Sequence, residues 1–600
     1  MKQYEDQKKM MDAAMGRKKA SLVLKGGTIV NVFTEQTEVA DIAIEDGVIV
    51  GIGEYDGIVN EDVTGKYICP GFIDGHIHLE SSMTAPSEFE KAVLPHGTTA
   101  VVTDPHEMGN VAGCQGIDYM LEATGNLDLD VFFMMPSCVP ATGLDESGAV
   151  LDAGDLSPYY KNPRVLGLAE VMNGPGVAGC QPDLMGKLRD AREAGAVIDG
   201  HAPFLSGREL NAYVCAGVRS DHECSDCQEA LEKLSRGQWI MIREGTAAQN
   251  LTALMPLFEA PYYQRCMLVT DDKHPGDLIS GGHIDYIIRK AVSMGADPVR
   301  AIKMGTFHAA QYFGLRDRGA VAPGFRADLA VLEDLKDFRV LAVYKDGRLA
   351  AKDGKMAGSG EGRPSGSFAS PGLAGSLSDE EMRLRFPRVF QSFHLDEIRL
   401  EDLFLEKEGP MQRIIQLKAH ELLTEERLEP WPKTETETGL APGVDRDRDV
   451  VKAAVFERHQ GTGHRGLGFI GGYGLKRGAV ASSVAHDSHN LIVIGTNDRD
   501  MVLAANAVRE HGGGLALAEE GRVTGILPLP IGGLMSLESV EETERVLEQL
   551  KEKTRKMGIR EDIDPFMTLA FASLPVIPRL RLNTFGIIDV DQQKVVPASF

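Results

Sequence analysis

Between residues 20 and 69, apolar and polar positions alternate in short runs, ASLVLKGGTIVNVF and EVADIAIEDGVIVGIGE, broken by Gly, Asn and Asp. A period of two predicts strands, and Asp46-Gly47 predicts a hairpin turn. The pattern returns at 326–354 with a second Asp-Gly turn at Asp346-Gly347. Such strands need a partner sheet to bury their apolar faces, so the two stretches predict one small split β-sandwich domain built from residues 1–69 and 321–356. Residues 70–320, which interrupt it, read as strand followed by helix, repeated. The candidate strands are Phe72–Leu79, Thr98–Thr103, Val131–Ser137, Val165–Val171, Val197–Ala202, Val218–Glu223, Trp239–Arg243 and Met267–Asp272. Eight strands in ~250 residues predict a TIM-like (β/α)8 barrel, and several end in ionisable residues, as expected where a barrel gathers its active site.

Residues 357–378 are rich in Gly, Ser and Pro and predict a linker. Residues 379–600 predict a C-terminal α/β domain with strands at Asp449–Phe456 and Asn490–Gly495 and helices at Met501–Glu510 and Val540–Met557. The acidic runs Glu425–Glu429 and Glu541–Glu544 predict exposed helix faces, whereas Phe132, Phe133, Met134 and Met135 predict core.

Charge narrows the partners. The chain of 600 residues carries 63 basic and 88 acidic side chains, a net −25, so its field repels phosphate backbones and anionic membranes. A small-molecule substrate is expected, and neither nucleic acid nor membrane. With no apolar stretch of ~20 residues and a polar start lacking a secretory signal, a cytoplasmic location is expected. The eight cysteines, all between Cys69 and Cys266, read as reduced and mostly buried thiols. Cys224-Ser-Asp-Cys227 has the gap of a zinc knuckle, but its surroundings do not fit one.

The chemistry concentrates at strand ends. Asp74-Gly-His76-Ile-His78 closes the first barrel strand, and side-chain alternation puts His76 and His78 on one face about 7 Å apart, suited to one metal. Glu170 closes the fourth strand, His201 the fifth, His222 the sixth and Asp271 the eighth. Four histidines and two carboxylates are enough for two divalent ions with one carboxylate bridging. Such a pair lowers the pKa of a shared water and presents hydroxide to an electrophilic carbon. Carboxylate-rich ligation without an obvious thiolate favours manganese, iron or zinc. Asp271 is then the candidate proton shuttle. Asp104-Pro-His106-Glu107 follows strand two near the barrel mouth and, with Glu80, offers candidate substrate contacts or an extra metal site, the alternative being a hydrogen-bonded loop.

GFIDGHIHLESSM, the Glu170 and His201 strand ends, His222 and TDD, flanked by a split β domain, resemble the amidohydrolase superfamily. Within it the chain resembles the adenine deaminase family, through HLESSMTAPSEFE, TDPHEMGNVAG, SCVPATGL, LAEVMNGPGV, DGHAPFLSGRELNAYVCAG and, beyond the linker, ERHQGTGHRGLGFIGGYGLKRGA and VAHDSHN. The resemblance implies hydrolysis of adenine to hypoxanthine and ammonia on a binuclear centre, manganese first among the candidate metals. It also implies His76, His78 and Asp271 on one ion, His201 and His222 on the other, and Glu170 bridging them, where many superfamily members carry a carbamylated lysine. It implies an adenine-deaminase-type domain over 379–600. There His459, His464, His486 and His489 sit in Gly-rich or polar loops and are expected to line a lid or a second site, the alternative being solvated loop histidines. Size points to a homo-oligomer, a dimer being simplest. The alternatives are hydrolysis of a cyclic amide or related C–N bond, and a non-catalytic scaffold on the same fold.

Overall fold

Eight parallel strands, β1 (Phe72–Ile77), β2 (Thr98–Thr103), β3 (Asp130–Met135), β4 (Val165–Val171), β5 (Val197–Gly200), β6 (Ser220–Asp221), β7 (Trp239–Arg243) and β8 (Cys266–Val269), form the central barrel. They belong to a computed structural model that describes residues 2–246, 248–358, 377–418, 422–432 and 439–600; most of the Gly/Ser/Pro-rich segment, 359–376, lies outside the described residues. β1 to β5 make one parallel sheet and β6 to β8 another. The ring is completed by Arg219 N–H donating to Ile198 O at 2.9 Å and by a bridge between Ile77 and Asp271. Sequence alternation divides the strands between two cores. Ile73, Ala100, Val102, Phe132, Met134, Ala169, Met241 and Met267 fill the barrel, while Val101, Phe133 and Met135 pack outward. β6 is only two residues long against an expected Val218–Glu223, since only Ser220 and Asp221 pair with β7; the Asp221 side chain accepts the Ala202 N–H of the neighbouring strand end.

The N-terminal β segment and residues 329–356 share one nine-stranded sheet. Its seam is the antiparallel pair of Tyr67–Pro70 with Leu329–Leu332, in which Val331 faces Ile68. The Asp-Gly turns have positive φ at both residues, +50° and +80° at Asp46-Gly47 and +50° and +69° at Asp346-Gly347, the conformation that favours this dipeptide in two-residue hairpins. Arg318 and Lys345 tie the sheet to the start of β3 through Asp130, with Lys345 Nζ 2.8 Å from Asp130 Oδ2.

The C-terminal part is built on an eight-stranded mixed sheet that includes Val450–Phe456 and Leu491–Gly495. Alternate residues again point to different cores. Ala454, Phe456 and Val493 meet the helix Asp498–Glu510, whereas Val451, Ala453, Ile492 and Ile494 belong to the same apolar cluster as Met108, Val111 and Val139 of the barrel. Barrel and C-terminal part thus share a core. Their polar seam lies over the barrel mouth, where Ser536 N–H donates to Met83 O at 2.8 Å and Asn490 Nδ2 to Glu146 O at 2.6 Å.

Two sequence readings are corrected. Glu425–Glu429 is part of an edge strand, Thr424–Pro430, not a helix face; a row of charges is how an exposed sheet edge avoids pairing with other chains. The eight thiols are free, but only Cys69, Cys138, Cys224 and Cys266 are buried, while Cys180 and Cys215 are exposed. Among the described residues no helix is long and apolar enough to cross a membrane.

Candidate metal centre

Strand alternation turns both His76 and His78 into the barrel mouth, their ring centroids 4.9 Å apart. His78 Nδ1–H donates to Asp104 O at 3.1 Å, which fixes its tautomer and frees Nε2 as a ligand atom. Glu170, in β4, spans the site. Its Oε1 lies 3.4 Å from His78 Nε2, and its Oε2 lies 2.9 Å from His201 Nδ1 and 3.3 Å from His222 Nε2. His201 and His222 approach each other to 3.2 Å between ring nitrogens. Asp271 closes the circle, with Oδ1 3.2 Å from His76 Nε2 and 3.1 Å from His78 Nε2. The Asp271 backbone is in the left-handed region at φ +61°, held there by its N–H bond to His76 O at 2.9 Å. All six residues expected from sequence therefore stand at one place. Five of their side chains are under a tenth exposed, while His201 is 20% exposed and forms the open edge.

Two further side chains belong to this centre. Arg243, at the end of β7, donates to Asp271 Oδ2 at 2.8 Å and grips Glu223 with both guanidinium nitrogens. Glu223 Oε1 in turn lies 3.3 Å from His222 Nε2. Both sit on the strand ends that the alternation pattern predicted, which was the available signal; neither belongs to a motif that marks it. Burial alone raises the Asp271 carboxyl, but Arg243 and the close imidazoles of His76 and His78 outweigh it and hold Asp271 well below the carboxylate range. Burial opposes charging of His222 as well, yet Glu170 and Glu223 push it up to about 10.

The donor set fits divalent cations. His76, His222 and Asp271 offer ligand atoms within 4.8 Å of one another, and Glu170, His201 and His222 do the same. His76 Nε2 is buried with no hydrogen-bond partner among the described residues. Two convergent groups of imidazole and carboxylate that share His222, with Glu170 reaching from His78 to His201, make a candidate two-metal site. The Cys224 thiol is elsewhere, donating to Asp221 Oδ2 at 3.1 Å.

A second polar layer lies beside it. His106 Nδ1–H donates to Asp104 Oδ2 at 2.9 Å and lies 3.4 Å from Glu170 Oε1. Ser81 Oγ is 2.5 Å from Asp272 Oδ1 and 3.2 Å from Glu107 Oε1, and Glu80 Oε1 accepts Met108 N–H at 3.2 Å. Burial, with Asp272 and Glu80 nearby, pushes the Glu107 carboxyl well above the usual range. The C-terminal part supplies the far wall. His486 Nδ1 is 3.3 Å from Glu107 Oε1, His489 Nε2 is 3.9 Å from Glu107 Oε2, and Asp487 Oδ1 is 3.9 Å from His106 Nε2. His459 instead braces this loop from behind, and His464 is a surface residue, its side chain 56% exposed, beside Glu146.

A barrel whose strand ends converge on these donors, inside a split β domain, defines an amidohydrolase; residues 67–350 match the Amidohydrolase family model. Residues 421–594 match the Adenine deaminase C-terminal domain. Adenine deaminase 2 of Carboxydothermus hydrogenoformans is 46% identical over 595 residues, covering 99% of each chain. The adenine deaminases of Kosmotoga olearia, 44% identical over 97% of each chain, and Desulfatibacillum aliphaticivorans, 42% identical over 96% of this chain and 97% of its own, also align over nearly their whole length. The chain belongs to the adenine deaminase family.

Proposed function

We propose that the protein hydrolyses adenine at C6 to hypoxanthine and ammonia. The observation that carries this reading is the union, in one chain of the adenine deaminase family, of a six-donor centre with a C-terminal loop that walls the same barrel mouth. In it His76, His78 and Asp271 would hold one divalent ion, His201 and His222 the other, with Glu170 between them; manganese is the proposed metal, on a donor set that also suits iron and zinc. Bound there, the ions supply Lewis-acid activation of a water.

The chain's own groups do the rest. Arg243 holds Asp271 Oδ2, so Oδ1, turned toward His76 and His78, is the oxygen that faces the metal position and takes the proton of the attacking water through its second lone pair. As the C6–N6 bond breaks, the same oxygen returns that proton to the departing nitrogen, which leaves as ammonia while C6 keeps the water oxygen. Glu223 balances the Arg243 charge that Asp271 does not. The loop carrying His486 and His489 keeps bulk water from the far side of the mouth. Metal-loaded protein incubated separately with adenine, adenosine and cyclic amides tests the reading by ammonia release. Ammonia from adenine alone is expected; none from adenine, or as fast a release from adenosine, overturns it.

A further inference from the structure

The two C-terminal motifs pack against each other and aim one side chain into the barrel mouth. Glu457 gathers the backbone N–H groups of His459, Gln460 and Thr462 at 2.5, 2.6 and 2.9 Å, which folds the first motif into a tight loop. From it His459 Nε2–H donates to Ser488 O at 2.7 Å. Arg458, fully buried, donates to His489 O, to Gly532 O at 2.9 Å and to Ser392 Oγ at 3.0 Å. The second motif, 484–490, is thereby clamped from behind.

Its front is unfinished. His489 is 0% exposed, and its Nδ1 accepts the Ala485 N–H at 3.2 Å. In the neutral ring the proton must then sit on Nε2, making Nε2–H a donor. Glu107 Oε2 lies 3.9 Å away, beyond hydrogen-bond reach, and Nε2 has no partner among the described residues. Glu80 Oε2 and Asp487 Oδ2, also buried around this layer, lack partners in the same sense. Buried polar groups in native proteins are satisfied, so such a donor beside a reaction centre calls for a ligand atom that accepts. A metal does not meet that need, because ligation through Nε2 requires loss of the proton that the Ala485 N–H forces onto it.

We propose that His489 Nε2–H donates to a bare ring nitrogen of the bound purine while the adjacent Glu107 carboxyl group takes a ring N–H, so that His489 is a specificity-determining residue supplied by the C-terminal part. This rests on the deamination reading above and gives it a cause for base selectivity. A bare nitrogen flanking a ring N–H is what the free base presents around its imidazole ring, and a glycosyl group removes that N–H.

The test compares adenine, 3-deazaadenine and 7-deazaadenine as substrates for the wild type, His489→Leu and His489→Gln, with metal content measured on each protein. In the wild type one deaza analogue should lose roughly tenfold in kcat/KM, the upper range for one neutral hydrogen bond. His489→Leu should lose a similar factor on adenine and no longer distinguish that analogue, His489→Gln should regain part of the discrimination, and all three should hold equal metal. Wild-type indifference to both analogues, undiminished discrimination in His489→Leu, or a lost metal equivalent in that variant overturns the assignment; the first of these needs no variant to fold. Absence of ammonia from adenine in the wild type is a distinct result that overturns the deamination reading and this assignment with it.

Discussion

Replacing Lys233 by Met should loosen half of the metal centre without touching a ligand. Lys233 is 0% exposed, and its Nζ donates to Ala202 O at 2.6 Å, to Glu229 Oε1 at 2.7 Å and to Asp221 Oδ2 at 2.9 Å. Ala202 follows His201, Asp221 precedes His222, and Asp221 Oδ1 accepts the Ala202 N–H at 2.7 Å. The lysine therefore ties together the two strand ends that present His201 and His222. Met preserves length and apolar stem but leaves the fully buried Asp221 carboxylate without its cation. Removing one partner of a buried pair costs about 3–5 kcal/mol. At ~2–4 °C per kcal/mol for a unit of barrel size, the melting midpoint should fall by roughly 6–20 °C. Scanning calorimetry of the metal-loaded protein measures this, and elemental analysis should show less than the wild-type metal content. Adding Asp221→Asn to Lys233→Met removes the stranded charge and should recover about 1–3 kcal/mol, the coupling expected of contacting groups. A midpoint within about 2 °C of wild type with full metal, or no recovery in the double variant, would refute the idea that this ion pair sets the geometry of the two histidines.

Asp271→Asn should retain fold and most metal while kcat falls on the order of 10²–10⁴-fold, since the amide cannot move a proton; activity within about threefold of wild type removes Asp271 from that role. Glu170→Gln should lower bound metal from two ions toward one, and two ions per chain in the variant would remove its bridging role. Asp130→Asn tests the clasp between β3 and the split sheet: burial opposes the charge, but Lys345 and Arg318 hold the Asp130 carboxyl below the usual range. A depressed carboxylate stabilises above its unfolded pKa of ~3.9 and loses that contribution as pH falls further, so the variant should melt lower at pH 7 and the difference should shrink below about pH 4. Equal melting at pH 7 would show the clasp to be neutral.

The barrel centre was legible because two local rules coincide there. Strand periodicity locates the ends, and His76-x-His78 shows which way side chains face, so Glu170, His201, His222 and Asp271 fall into place as the residues at equivalent ends. Arg243 and Glu223 obey the same geometry but carry no pattern of their own, and their pairing across β6 and β7 exists only once the barrel closes. The wall formed by His486, Asp487 and His489 depends on contacts spanning about 380 residues, from Glu107 to His486, which no local period encodes. Glu425–Glu429 misled because a charged run is equally compatible with a helix face and an edge strand, and the choice was made by pairing with Met411–Leu417. The shared core of barrel and C-terminal part was likewise invisible: the nearly continuous apolar run of Val450–Phe456 announces two buried faces without saying what covers the second.

The seam of the split sheet sets a timetable for synthesis. Tyr67–Pro70 leaves the ribosome about 260 residues before its partner Leu329–Leu332. At ~5–20 residues per second that is a wait of roughly 13–52 s. During it the early strands present an unpaired apolar edge, and the barrel between them grows without its flanking sheet. The nascent chain thus passes through a stage open to strand exchange with another chain, and the arrival of residues 329–332 is the event that ends it.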